Sequence, residues 1–278
     1  MNHQIKMVGL DLDGTLLNSN KEITDYTKKV IAEAIDNGCI VLAATGRPLS
    51  AVPQYLLDVV GTQYVLTTNG AVIVDMKTGE NIYEHLLPVE LTAQALDIFA
   101  EYDVLTEVFI DDVGYTDAKT LANVEKYVGS SPSMIAYMKE SRIPVESVKE
   151  KLYELKKPVG KAHAIFADPS LREKVKEHIQ SVMDVDLTSS SPRDLDVNKK
   201  GANKGLGLLR LGEILGIKRE EIMACGDSFN DLEMLVEAGI GVAMGNAEED
   251  LKTVADYITD TNDNDGVAKA IEKFVLNR

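Results

Sequence analysis

The sequence predicts an α/β fold in which one largely parallel sheet, with helices on both faces, is interrupted by an inserted α+β domain. Two observations carry that prediction. Short apolar runs alternate with helical stretches from Met7 to Asp75 and again from Asn203 to the end, a rhythm that implies strands joined by right-handed helical crossovers. Between them, from Tyr83 to Ser190, strand-like pieces are mixed with polar helices and the rhythm is lost.

The elements follow in order. Met7 to Leu12 is an apolar run of the kind a buried parallel strand shows. Thr24 to Asn37 reads as a helix: Val30, Ile31, Ala34 and Ile35 recur on one face, Thr24 is placed as its N-cap and Gly38 follows its end. Cys39 to Ala44 is a second strand, followed by a helix after Pro48. Tyr64 to Thr68 and Ala71 to Asp75 read as further strands. In the middle region, Leu105–Ile110, Ala162–Ala167 and Asp184–Thr188 are strand-like and Leu171–Met183 is helical. Ser189, Ser190, Ser191 and Pro192 read as the linker back to the first domain, giving a core of 1–82 and 191–278 around an inserted 83–190. A helix from Asn203 to Leu215 closes at Gly216. A strand Ile222–Cys225, a helix Phe229–Ala238, an apolar run Gly241–Met244, a segment Ala247–Ala255 and a last helix from Val267 complete the chain.

Composition narrows the function. The 278 residues carry 45% hydrophobic and 27% charged side chains, ordinary for a globular cytosolic protein. No run approaches the ~20 apolar residues of a membrane span, and no signal peptide is visible before the first strand. A net charge of −16 argues against nucleic-acid binding. An acidic protein that handles an anion must place positive charge locally, through a metal or a few Lys and Arg residues. Cys39 and Cys225 read as buried free thiols in a reducing cytoplasm. His3, His85, His163 and His178 are scattered without ligand spacing.

Chemistry concentrates at strand ends, where ligands bind in open α/β sheets. The first strand runs into Asp11-Leu12-Asp13-Gly14-Thr15. Two carboxylates there are costly unless something cationic joins them. Gly14 permits a tight turn, and Thr15 offers a hydroxyl to nearby backbone. The second strand ends in Thr45-Gly46-Arg47, where a hydroxyl, a backbone amide and a fixed positive charge suit a phosphate oxygen. The strand at 222–225 runs into Gly226-Asp227-Ser228-Phe229-Asn230-Asp231, with two acids one helical turn apart. If these strands are neighbours, Asp11, Asp13 and Asp227 converge on a hard divalent cation. Lys204 opens the helix after the inserted region; Lys199 and Lys200 are its rivals for an active-site role.

The ordered set Asp-x-Asp-Gly-Thr, Thr-Gly-Arg, Lys-Gly and Gly-Asp-Ser-x-Asn-Asp resembles the haloacid dehalogenase (HAD) superfamily, and within it the Cof-type phosphatases with a large α/β cap. Thr68-Asn69-Gly70-Ala71 and Val242-Ala243-Met244-Gly245-Asn246-Ala247 add to the likeness, which covers most of the core. The resemblance implies a Rossmann-like core and an inserted cap that closes over it. It makes Asp11 the nucleophile, Asp13 the general acid/base and Lys204 the stabiliser of nucleophile and phosphate. Leu12, Thr45, Gly46, Arg47 and Asn230 would bind phosphate or substrate. Mg2+ would be held by Asp11, Asp13 (through its main-chain oxygen), Asp227 and Asp231. The implied activity is hydrolysis of small phosphomonoesters through an aspartyl phosphate. A phosphomutase of the phosphomannomutase type and a phospho-receiver module are the alternatives. Other patterns carry less: Gly239-x-Gly241-x-x-x-Gly245 has the wrong spacing for a dinucleotide fingerprint. Thr261–Glu272 starts without the acid that a calcium loop needs, and reads as a polar loop capping the last helix. Met134 and Met138 are spaced for packing on one helix face.

Overall fold

The computed structural model describes residues 4–60 and 63–278; His3 lies outside them. The chain separates into two compact units. One holds the residues up to Arg47, Val52–Glu84 and Asn203–Arg278; the other holds Pro48–Ala51 and His85–Ala202.

The first unit starts with β1 (Met7–Leu10), buried throughout, then α1 (Asp25–Asp36), β2 (Ile40–Ala44) and α2 (Gln54–Val60). Thr24 caps α1 by accepting from the Thr27 amide, as its sequence position predicts. The helix expected directly after Pro48 is instead a short 3-10 turn, Leu49–Ala51, and α2 begins only beyond Pro53. Strands β3 (Tyr64–Thr67), β4 (Val72–Asp75) and β5 (Glu80–Glu84) end this part of the unit.

The inserted unit contains α3 (Val89–Phe99), β6 (Val104–Ile110), β7 (Val113–Asp117), α4 (Ala118–Leu121), α5 (Glu125–Val128), α6 (Pro132–Ser141) and β8 (Arg142–Val145). It continues through α7 (Val148–Leu155), β9 (Ala162–Phe166), α8 (Arg172–Val182), β10 (Val185–Thr188) and β11 (Asp194–Lys199). Its sheet runs β10-β11-β9-β6-β7-β8, antiparallel except between β7 and β8. Residues of one face, including Val108, Ala164, Phe166 and Val197, form a core with Phe99, Leu152 and Ile179. The alternating residues of β6, β9 and β11 bring Glu107, His163 and Asp196 together on the other face. Met138 is buried on α6 while Met134 is exposed, so the two methionines do not share a packed face.

The return to the first unit comes at Asn203 and not at 191. Asp194–Lys199, assigned to the core from the sequence, is a strand of the inserted sheet, and its Asp196 joins the ionic cluster described below. The first unit then resumes with α9 (Lys204–Leu215), β12 (Ile222–Gly226), α10 (Leu232–Glu237), β13 (Ile240–Ala243), α11 (Glu249–Val254), β14 (Tyr257–Ile258) and α12 (Gly266–Phe274). A 3-10 turn, Phe229–Asp231, precedes α10 where one continuous helix was expected. Among the described residues the sheet is eight-stranded, in the order β14-β13-β12-β1-β2-β3-β4-β5. It is parallel from β14 to β3, and β4 and β5 are antiparallel additions. Helix α1 packs on α2 and α12, and α10 on α9 and α11, the two helical layers such a sheet requires. β1 lies between β12 and β2, with Met7 paired to both Ile222 and Ile40, so chain order reverses direction at β1. That switch point puts residues 11, 45 and 227 at adjacent carboxyl ends.

Candidate active site

Asp11 leaves β1 with its amide still bonded to the Cys225 carbonyl of β12. Ligand oxygens of Asp11, Asp227 and Asp231 all lie within 4.8 Å of one another. Lys204, fully buried, enters this cluster from the first residue of α9, whose N-cap is Asn203. Its Nζ donates to Asp11 Oδ1 and to Asp231 Oδ1, each at 2.6 Å. Lys200, by contrast, pairs with Asp186 in the inserted unit.

The charges do not balance. Three carboxylates face one ammonium, a formal excess of two negative charges, with Asp11, Asp231 and Lys204 buried and Asp227 half-buried. Burial pushes the Asp11 carboxyl well above its ordinary range; Lys204 opposes this, while Asp231 and Asp227 add to it. Asp227 is pushed up to about 7 by burial and by Asp231. Burial alone would lower Lys204, but Asp11 and Asp231 raise it above the usual lysine value. A hard, divalent cation is what such an oxygen donor set lacks, and the cluster fits one in both charge and ligand type.

The surrounding loops hold these groups in place. Asp231 Oδ2 accepts from the Asp227 and Ser228 amides at 3.0 and 3.1 Å. Thr15 Oγ1 donates to Asp227 Oδ1 at 2.7 Å, a long-range bond where the sequence suggested only a local one. Gly14 has φ +89°, and a Cβ on it would collide with the Asp227 carboxylate, so the close approach of the two loops requires glycine. Asn246 Nδ2 donates to the Gly14 carbonyl. Thr45 is buried, its Oγ1 accepting from the Arg47 amide. A Cβ on Gly46 would lie 3.6 Å from Asn230 Nδ2, which brings the β2 loop beside the β12 loop. The Leu12 side chain is buried in the core, so any role in binding falls to its backbone.

Asp13 is differently placed. Arg47, assigned to phosphate from the sequence, donates to Asp13 Oδ2 through Nε at 3.1 Å and Nη2 at 2.5 Å. Lys21 Nζ donates to Oδ1 at 2.9 Å. Burial would raise Asp13, but Arg47 and Lys21 outweigh it and hold the carboxyl below its ordinary value. Neither Lys21 nor the Thr15 and Asn246 contacts were legible from residue patterns. All three depend on pairings far along the chain or on an unusual backbone angle. The calcium-like loop serves as a fastener: Asp263 accepts from Ser19, and Asp265 from Thr24 and Thr27.

Comparison with known proteins gives the family. Residues 8–271 match the family model described as haloacid dehalogenase-like hydrolase. The chain is 34% identical over 273 residues to the 5-amino-6-(5-phospho-D-ribitylamino)uracil phosphatase YcsE of Bacillus subtilis, covering 98% of this chain and 96% of that protein. It is 25% identical to the pyridoxal phosphate phosphatase YbhA of Escherichia coli, covering 98% and 99%. Its fold superposes on a haloacid dehalogenase-like hydrolase from B. subtilis with a TM-score of 0.84 at 30% identity, covering 96% and 99%. The chain belongs to the haloacid dehalogenase-like hydrolase family, as a phosphoric monoester hydrolase.

Proposed function

We propose that this protein is a magnesium-dependent phosphatase of small phosphomonoesters, such as sugar phosphates or related metabolites, acting through an aspartyl phosphate on Asp11. The observation that carries the reading is the buried Asp11–Lys204–Asp231 bridge beside Asp227, with two negative charges left over. Asp11, Asp227 and the main-chain oxygen of Asp13 would hold magnesium, with Asp231 behind them. When bound, the ion supplies the positive charge that lets an anionic carboxylate approach an anionic phosphate.

Asp11 attacks phosphorus while Lys204 fixes its orientation and offsets its charge. Thr45, Gly46, Asn230 and the Leu12 backbone would hold phosphoryl oxygens. The bond from phosphorus to the ester oxygen breaks with its electron pair on that oxygen, which takes a proton from Asp13. Asp13 then removes a proton from water. The water attacks the aspartyl phosphate, and the bond from phosphorus to the Asp11 oxygen breaks to release phosphate. In the structure Arg47 and Lys21 hold Asp13 in its base form. An arriving phosphate dianion would draw Arg47 away and leave Oδ2 open to a proton. The free, buried Cys39 and Cys225 support a reducing, cytoplasmic setting. Among the described residues no helix is long and apolar enough to cross a membrane.

The test is phosphate release from p-nitrophenyl phosphate with Mg2+, and then from a panel of phosphorylated metabolites that includes the substrates of the relatives named above. Release that stops with EDTA and in Asp11→Asn is the expected result. Isomer formation without phosphate release would replace the phosphatase reading with a mutase.

A further inference from the structure

We propose that Lys21 is a positioning residue that aims the Asp13 carboxyl group during catalysis; the inference rests on the role given to Asp13 above. Arg47 contacts Oδ2 and Lys21 contacts Oδ1, so the two cations grip opposite ends of one carboxylate. A carboxylate turns readily about its last torsion, and a single cation leaves that rotation open. Two cations fix which oxygen points where. Once Arg47 shifts to an incoming phosphate, Lys21 is the contact that still holds Oδ1, leaving Oδ2 as the oxygen that delivers the proton.

The turn carrying Lys21 is built to present it. Lys21 has φ +63°, a left-handed conformation that a non-glycine residue adopts only under strain. Asn18 Oδ1 accepts from the amides of Asn20 and Glu22, and the Asn18 carbonyl accepts from the Lys21 amide. Tyr55 donates its hydroxyl to the Lys21 carbonyl at 3.2 Å. Ser19 is tied through its amide and hydroxyl to Asp263, so the turn is anchored on a second side. The ion pair itself is exposed, with the Lys21 side chain 63% accessible. Exposed pairs contribute little to stability. Strain and anchoring spent on such a pair therefore point to function.

A residue that acts through Asp13 must lose its effect when Asp13 is gone, which a double-mutant cycle measures. The cycle uses kcat/KM, which reports the step in which the leaving group departs. Lys21→Met is expected to lower kcat/KM about tenfold for glycerol 2-phosphate, whose alkoxide needs protonation. For p-nitrophenyl phosphate, whose leaving group needs little help, the loss is expected to be about two- to threefold. Lys21→Arg should recover most of both. In the Asp13→Asn background, Lys21→Met should cost less than about twofold. Equal losses on the two esters, or the same loss in both backgrounds, would overturn the assignment. A wild-type protein that releases phosphate from neither ester would sink the phosphatase reading and this inference together. Normal wild-type turnover with either of the two adverse patterns sinks the inference alone.

Discussion

Two buried ionic clusters, one in each unit, both built on carboxylates and cations, come out opposite. In the inserted unit Glu107 and Asp196 meet Arg142, Lys161 and His163. Arg142 Nε donates to Glu107 at 2.5 Å, Lys161 to Asp196 at 2.8 Å, and His163 Nδ1 lies 2.6 Å from the other Asp196 oxygen. The two fixed cations, Arg142 and Lys161, match the two carboxylates there, with His163 beside them. Burial would raise Asp196, yet Lys161 and His163 hold it far below the ordinary carboxylate range. In the first unit Asp11, Asp227 and Asp231 share one lysine, and both Asp11 and Asp227 are raised. A balanced cluster is complete as structure. An unbalanced one, held rigid by Thr15 and the 227–228 amides, stores its deficit for a ligand.

The contrast is open to attack by mutation, and the largest effects belong to the unbalanced side. Asp11→Asn should lower kcat at least about a thousandfold while the variant stays folded, because Lys204 keeps Asp231 as its counter-charge. Circular dichroism and steady-state assay together check both halves. Lys204→Ala should also cost about a thousandfold, whereas Lys200→Ala, removed from an exposed pair with Asp186, should change kcat by less than about twofold. Equal losses at the two lysines would erase the distinction between them. On the balanced side the expected damage is to stability. Asp196→Asn leaves Lys161 buried without its counter-charge and should cost ~3–5 kcal/mol in denaturant unfolding.

How much of this was legible in the sequence follows the same divide. The first unit announced itself because β1, β2 and β12 are short apolar runs whose next residues are Asp11, Thr45 and Asp227. A polar residue directly after a buried strand is a local signal. Asn203 and Lys204 were readable for a similar reason, as a helix start. The inserted unit hid β11 because Asp194, Asp196 and Asn198 break the apolar run that marks a buried strand. They are buried because Lys161 and His163 meet Asp196, Ser190 meets Asp194 and Thr188 meets Asn198. Lys21 was invisible for a further reason: a left-handed turn, which no pattern of residue types specified, aims it at Asp13.

The smallest expected effect concerns pH in the inserted unit. Burial would lower His163, but Asp196 raises it above its ordinary 6.5. Its folded value lies above the unfolded one, so its contribution is complete below 6.5 and fades as pH rises through the folded value. Asp196 is depressed, so its contribution is present above 3.8 and is lost as pH falls through its folded value. The pair therefore stabilises most between those limits. Unfolding at pH 6 and pH 9 should show a decline in the wild type that is smaller in His163→Gln.

The claim beneath all of this is that the acids ending β1 and β12 share one divalent ion. Thermal unfolding with and without Mg2+, in wild type and in Asp227→Asn, tests it without relying on turnover. At about a hundredfold excess over Kd, bound Mg2+ should add ~2.7 kcal/mol to the wild type and raise its Tm, while Asp227→Asn should show no such rise. An equal rise in both proteins, or none in the wild type at millimolar Mg2+, would contradict the account.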